Sequence, residues 1–196
     1  TDFAGNIIVA GSFNSPVFTI DTVSLNNNGF GDMYLLKYTE TGSLLWAKTA
    51  GGTNSDWANS VDTDTTGNIY LAGEYVSPAI SFDTISFSNS FHVPQSCLIK
   101  YTPSGSVEWV FSTSSSTANF AHSVVIDANG NLFIGGTYID TNLILGSDTL
   151  TNQGDEDIYV AKFNAAGNPV WAKSVGGINT DLPENIALHP SGDLVV

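Results

Sequence analysis

Short apolar runs recur along this chain, each closed by polar turn residues and a glycine. Ile7-Ile8-Val9, Tyr34-Leu35-Leu36 and Ile69-Tyr70-Leu71 are apolar at consecutive positions, so an extended chain would present apolar groups on both faces. No segment sustains a 3.6-residue period, and turn residues interrupt roughly every ten positions, which predicts short strands and no helix. In the best-developed stretch the strands fall at 58–64, 68–75, 96–101 and 106–112, an up-and-down meander. Between the second and third, residues 76–95 read as a longer irregular surface segment with room for a small hairpin.

The pattern repeats. Gly67-Asn68-Ile69-Tyr70-Leu71-Ala72-Gly73 is matched by Gly5 to Gly11, by Gly130 to Gly136 and by a short Gly192-Asp193-Leu194-Val195-Val196. The leading glycines are 62, 63 and 62 residues apart. Trp46, Trp109 and Trp171 keep the same step, and so do Lys37, Lys100 and Lys162. Three markers in register make an internal repeat, with approximate bounds 1–52, 53–115, 116–177 and 178–196, the first and last incomplete.

Each repeat carries two tight turns. Asp64-Thr65-Thr66-Gly67 is echoed by Asp2 to Gly5, Asp127 to Gly130 and His189 to Gly192; Thr102-Pro103-Ser104-Gly105 is echoed by Thr39 to Gly42 and Asn164 to Gly167. An acceptor side chain at the first position and glycine at the fourth is a type I turn closing into a bulged hairpin. Gly5, Gly67, Gly130, Gly42, Gly105 and Gly167 are therefore expected to be structural, and Trp46, Trp109 and Trp171 to be core. Asp83-Thr84 is matched to Asp21-Thr22 and Asp148-Thr149 in the long segment, which makes that segment the variable-length part of the repeat.

Four-stranded sheets with two apolar faces need neighbours on both sides, and stacking such sheets around an axis makes a β-propeller. The expected fold is all-β, a β-propeller of four-stranded antiparallel blades with about three repeats, forming part of a larger ring. Asp64 to Gly73, Asp157 to Gly167, Trp171-Ala172-Lys173 and Gly176-Gly177 together resemble the SBBP-type bacterial β-propeller repeat. That family occurs mainly in large secreted or surface-attached bacterial proteins, and the resemblance implies no catalytic residues. The middle repeat departs from it, with Gln95 in place of Asp32 and Asp157, and Cys97 in place of Tyr34 and Tyr159.

Composition narrows the partners. Nineteen acidic residues against five lysines and no arginine give a net charge of −14. Phosphate backbones require clustered cations, so nucleic acid is excluded as a partner, and an anionic membrane surface with it. No apolar run is long enough for membrane insertion. One cysteine, Cys97, rules out an internal disulfide.

The candidate sites are few. Asp62 and Asp64 resemble a calcium loop, but an EF-hand needs a third ligand pair and a distant glutamate, so a turn is expected instead. The cluster Asp155, Glu156 and Asp157 is the better metal candidate. No cofactor is called for, calcium being the one ion the sequence admits. His92, His122 and His189 lack metal-ligand spacing, and His122-Ser123 becomes Asn59-Ser60 and Glu184-Asn185 in the other repeats. Asp56 and Trp57, with their counterparts Asn119 and Phe120, are ligand-binding candidates at the start of the first strand, although the apolar position shared by Trp57, Phe120 and Leu182 also suits packing between blades.

The expected function is a non-enzymatic binding, adhesion or scaffold module of a secreted or surface-attached protein. Its expected partners are an extracellular protein or glycan, together with other blades of a longer chain. Ligands are expected on the face that carries the long segments and the blade-to-blade links. The alternative is part of a catalytic propeller: Thr41 to Trp46 resembles the tryptophan docking motif of quinoprotein dehydrogenases, whose cofactor-binding residues are not found here.

Overall fold

The structure, a computed structural model, describes residues 1–139, 141–189 and 191–196. The first unit comprises β1 (Ile7–Phe13), β2 (Val17–Ile20), β3 (Val23–Asn26), β4 (Asp32–Tyr38) and β5 (Leu44–Ala50). The second comprises β6 (Asp56–Thr63), β7 (Ile69–Tyr75), β8 (Ala79–Phe82), β9 (Ile85–Ser88), β10 (Gln95–Tyr101) and β11 (Val107–Ser112). The third repeats it with β12 (Asn119–Ile126), β13 (Leu132–Tyr138), β14 (Asn142–Leu145), β15 (Asp148–Thr151), β16 (Asp157–Phe163) and β17 (Pro169–Val175). A short pair, β18 (Ala187–Leu188) and β19 (Leu194–Val195), follows.

The sheets are antiparallel meanders, β6-β7-β10-β11 and β12-β13-β16-β17, with a three-stranded β1-β4-β5 in the first unit. No helix occurs among the described residues. The second strands are buried along their whole length, as their unbroken apolar runs require. Alternate side chains of β7 enter different cores. Ile69 and Leu71 pack with Met33 and Leu35 of the first unit, whereas Tyr70 and Ala72 pack with Ile134 and Tyr159 of the third. The hydrophobic core thus lies between units, so each sheet depends on its neighbours for stability.

The long segment contains the small hairpin that the sequence left room for, and it packs as core where a surface loop was expected. In every unit it is a two-stranded hairpin: β2-β3, β8-β9 or β14-β15. Its alternation is clean, and Ile20, Leu25, Ile80, Phe82, Leu143, Leu145 and Leu150 are all buried. The hairpin turns carry Asp21 at φ 51°, Asp83 at φ 55° and Gly146 at φ 63°. The counterpart of Asp21 and Asp83 is therefore Gly146, not Asp148, because the left-handed conformation admits glycine and Asx residues in preference to others. Asp148 sits two residues on and accepts a hydrogen bond from Ala172 N of β17 at 2.7 Å. With this register, the variable length shrinks to one extra residue in 89–94. There Asn89 Oδ1 accepts from Phe91 N and His92 N, and His92 takes φ 57°.

The tight turns follow one scheme. Asp64 Oδ1 accepts from Thr66 N and Asn68 N, both at 2.9 Å, and Oδ2 accepts from Asn68 Nδ2 at 2.7 Å and Tyr70 Oη at 3.0 Å. Asp2 and Asp127 make the same bonds to the backbone and to Asn6 and Asn131. Asp64 is thus occupied as a turn acceptor, and Asp62 Oδ2 accepts from Ile126 N of the next unit at 2.9 Å. Gly5, Gly67 and Gly130 have φ of 79° to 83°, and Gly42, Gly105 and Gly167 have φ of 79° to 85°. The fourth turn, at 189–192, includes Pro190, which lies outside the described residues.

The repeat tryptophans are not interior core residues. Each lies half-buried on its unit's outer strand and reaches the following unit where one is present. Trp46 Nε1 donates to Pro103 O at 3.2 Å. Lys37 Nζ donates to the same oxygen at 3.2 Å and pairs with Asp2 at 2.9 Å. Trp109 takes the same place over Gly167, whereas Trp171 lies beside Phe133 of its own unit.

Candidate functional site

The meander sends the two tight turns of each unit to one end and its hairpin and link to the other. At the tight-turn end, Asp2, Lys37, Thr65, Thr66 and Pro103 line a cleft of about 280 Å³, and residues 126–129 with Leu188, His189, Ser191 and Gly192 line one of about 310 Å³. These walls are mostly tight turns whose polar side chains already bond one another, with Phe3 (83% exposed) among them. The link end carries a larger apolar group. Phe30 (73% exposed), Trp57 (39%), Phe91 (46%), Ile139 (46%), Ile178 (81%) and Leu182 (61%) project there into solvent. Exposed apolar side chains gathered on connecting segments, above a sheet whose own backbone is paired, are the usual form of an interaction surface.

The link is held by the preceding unit. Phe30 N and Gly31 N donate to Asn54 O at 3.2 and 3.4 Å, and Asp56 N donates to Gly31 O at 2.9 Å. These bonds bring the segments carrying Phe30 and Trp57 together. A bulge next to Trp57 adds to this: Ala58 pairs with Gly73 but Ser60 with Ala72, leaving Asn59 unpaired. Gly73 is required there, since a Cβ on it would come 2.0 Å from Trp57 O. The same bulge leaves His122 unpaired in the third unit.

The bulged residues have local partners. Asn59 Nδ2 donates to Glu74 and, at 2.9 Å, to Ala121 O of the next unit. Burial raises the Glu74 carboxyl to about 7, against the opposing bond from Asn59. His122 Nε2 lies 3.1 Å from Thr137 Oγ1, and burial lowers its pKa against the opposing charge of Glu156. Ser123 Oγ donates to Asn185 Oδ1 and not to His122, so this pair is not arranged as a base and nucleophile.

The sequence-derived candidates separate into two groups. Trp57 and Leu182 are exposed, contrary to the packing role suggested by their shared apolar position, while Phe120 is half-buried and stacked on His122. Asp56 and Asn119 are fully buried and serve the junction between units. Asp56 accepts from Gly52 N at 2.9 Å, Val76 N at 3.1 Å, Ser77 N at 3.2 Å and Ser77 Oγ at 2.7 Å. Asn119 Oδ1 accepts from Ser96 N at 2.9 Å and Thr113 Oγ1 at 2.6 Å. Asp155 is exposed, Glu156 half-buried and Asp157 fully buried, and among the described residues no three His, Cys, Asp or Glu side chains gather as a metal cluster. Phe30 and Phe91 were not signalled by the repeat, since neither position is aromatic in the other units.

Residues 45–74 match the family model SBBP, a beta-propeller repeat. The chain is similar to an uncharacterized WD repeat-containing protein, L264, of Acanthamoeba polyphaga mimivirus, at 26% identity over 94% of this chain and 16% of that protein. It is also similar to the regulatory protein FlaEY of Caulobacter vibrioides, at 25% identity over 85% of this chain and 18% of that protein. The chain thus spans less than a fifth of either relative. A protein of unknown function from Bacteroides caccae, solved by crystallography, aligns over 83% of this chain and 60% of its own, with a TM-score of 0.37 and 12% identity.

Proposed function

Starting from a chain that carries an SBBP-type β-propeller repeat, we propose that it is a non-enzymatic binding module whose ligand seats on the link end. The observation that carries this reading is the rim of Phe30, Trp57, Phe91, Ile178 and Leu182, presented by segments fastened from unit to unit. Relatives named for WD repeats and for regulation fit a repeat scaffold that presents a surface. Blades of this kind complete a ring with further blades of the same protein.

The chemistry of the rim selects among partners. Lys37, Lys100 and Lys162 lie toward the tight turns, Lys48 and Lys173 lie along the outer strands, and Asp155, Glu156 and Glu184 lie toward the link end. An apolar, acidic rim repels phosphate and sulfate groups and favours neutral sugar rings, which stack on indole and phenyl faces, or a protein patch that is apolar and basic. Either partner suits a secreted or surface-attached protein.

The test is binding of the labelled chain to a glycan array and to a panel of extracellular proteins, beside the variant Phe30→Ala/Trp57→Ala/Phe91→Ala. Loss of binding in the variant, with its circular dichroism and melting curve retained, supports the reading. Binding that the variant keeps in full rejects it.

A further inference from the structure

Asp32 opens β4 and its counterpart Asp157 opens β16, and both are fully buried. Oδ2 of Asp32 accepts from Asn28 N at 2.9 Å and Asn28 Nδ2 at 3.1 Å, and Oδ2 of Asp157 accepts from Gln153 N at 2.8 Å. In both residues Oδ1 is buried without a hydrogen-bond partner. A carboxylate oxygen removed from water and left without a donor is costly, and two in equivalent places are not an accident of one loop.

Each orphan oxygen faces a glycine. A Cβ at Gly51 would lie 2.1 Å from Asp32 Oδ1, and one at Gly176 would lie 2.2 Å from Asp157 Oδ1. The missing side chain leaves that space to the carboxylate. The following unit supplies a second carboxylate to each junction. Asp56 and Asp181 occupy the same repeat position and accept from Gly52 N at 2.9 Å and Gly177 N at 2.7 Å. Burial, together with the charge of Asp56, raises the pKa of Asp32. The ion pairs among the described residues are Lys37 with Asp2 and Lys100 with Glu108, so no lysine compensates either junction.

The middle junction provides an internal control. Gln95 and Asn119 replace the two carboxylates, and Thr113 stands where the others have Ala50 and Val175. Thr113 Oγ1 lies 3.3 Å from Gln95 Oε1 and 2.6 Å from Asn119 Oδ1, and Ser115 N donates to Gln95 Oε1 at 2.8 Å. Here the two acceptor oxygens converge on a hydroxyl donor. In the other two junctions no hydroxyl stands at the Thr113 position; Asp56 takes a hydroxyl from Ser77 at 2.7 Å instead, and Oδ1 of Asp32 and of Asp157 has no donor.

We propose that the Asp32–Asp56 junction and its counterpart Asp157–Asp181 each hold a hard, oxygen-seeking cation of the calcium class between consecutive units. A donor set of carboxylate oxygens without imidazole or thiolate selects such an ion over zinc or copper. Calcium is favoured over magnesium because the carboxylates are fixed by backbone bonds in positions set by the fold, and calcium tolerates irregular coordination completed by carbonyls and water. The ion ties one unit to the next and leaves the middle junction to hydrogen bonds alone.

The experiment is thermal melting of the chain at neutral pH in chelator, in calcium chloride and in magnesium chloride, with calorimetric titration of calcium chloride. The expected result is a rise in the melting midpoint of several degrees in calcium, less in magnesium, with two binding sites per chain. Asp32→Asn should lower the stoichiometry by one, and Asp32→Asn/Asp157→Asn should abolish the calcium response. Should that double variant fail to fold, Asp32→Gln/Ala50→Thr/Asp56→Asn, which copies the middle junction, should bind one ion. Equal midpoints in chelator and calcium overturn the proposal, and so does a calcium response that survives these substitutions. A chain for which calcium is inert, and whose stabilisation by acid in chelator is reduced in Asp32→Asn/Asp157→Asn, holds a proton at the junction, and this too overturns it.

Discussion

The indole of Trp46 lies on Gly105 of the following unit, close enough that a Cβ on that glycine would sit 3.1 Å from the ring. Trp109 repeats the relationship more tightly over Gly167, at 2.8 Å. The turn glycine therefore has two tasks, a left-handed backbone and a flat seat for a neighbour's tryptophan. The repeated tryptophan and the repeated glycine are the two halves of one contact between units.

These tasks can be separated by comparing three glycines. Gly42 has φ 85° and nothing within 4 Å of its missing Cβ, whereas Gly105 and Gly167 carry the tryptophan as well. Gly42→Ala should cost the left-handed penalty of about 1–2 kcal/mol. Gly105→Ala should cost more, and Gly167→Ala the most, by urea unfolding. Equal losses at all three would mean that the tryptophan seat contributes nothing.

The hairpins should behave as core rather than loop. Phe82 is fully buried, and Phe82→Ala is expected to cost about 3–5 kcal/mol. Ile144, at 68% exposure on the same kind of hairpin, should tolerate alanine within about 0.5 kcal/mol. Chemical denaturation of the two variants checks the contrast, and a Phe82→Ala variant as stable as the parent would place β8 outside the cooperative core.

The protein should be most resistant to heat in mildly acidic solution. Although burial opposes it, the bonds from Asn6 and Lys37 hold the Asp2 carboxyl at about 2, and the turn hydrogen bonds likewise lower Asp64 and Asp127. Groups depressed in the folded state give stability that is present above their unfolded values near 3.8 and lost as pH falls through the folded ones. Glu74 has the opposite sign. It is raised from 4.5 to about 7, so the folded state binds the extra proton and stability declines as pH rises through that interval. In Glu74→Gln the decline between pH 4.5 and 7 should be reduced, as read from melting midpoints; an unchanged pH profile would contradict the burial of this carboxyl.

Much of the repeat was legible from sequence because its strongest signals are local. An acceptor side chain followed three positions later by glycine specifies a turn without tertiary help, and doubly apolar strands announce burial on both faces. The hairpins were harder to see. Strands of four residues offer only two inward positions each, and Gly146 performs in the third unit the task that Asp21 and Asp83 perform in the others. The candidate site was legible only in part. Asp56 and Trp57 are adjacent and face opposite ways, one buried in a junction and one in solvent, and a polar residue beside a turn carries no mark of which way it will face. Phe30 and Phe91 stand outside the repeat, so repetition could not point to them.

Binding measured on paired end-specific variants tests the proposed role most directly. One variant carries Phe30→Ala, Trp57→Ala and Phe91→Ala at the link end, and the other carries Thr41→Ala, Thr65→Ala and Ser104→Ala in the tight turns. Both are compared with the parent on the same glycan array and protein panel, after matched melting curves show that each is folded. A ligand seated at the link end predicts at least a tenfold loss of affinity in the first variant, about 1.4 kcal/mol, and parental affinity in the second. Parental binding in the first and lost binding in the second would contradict it.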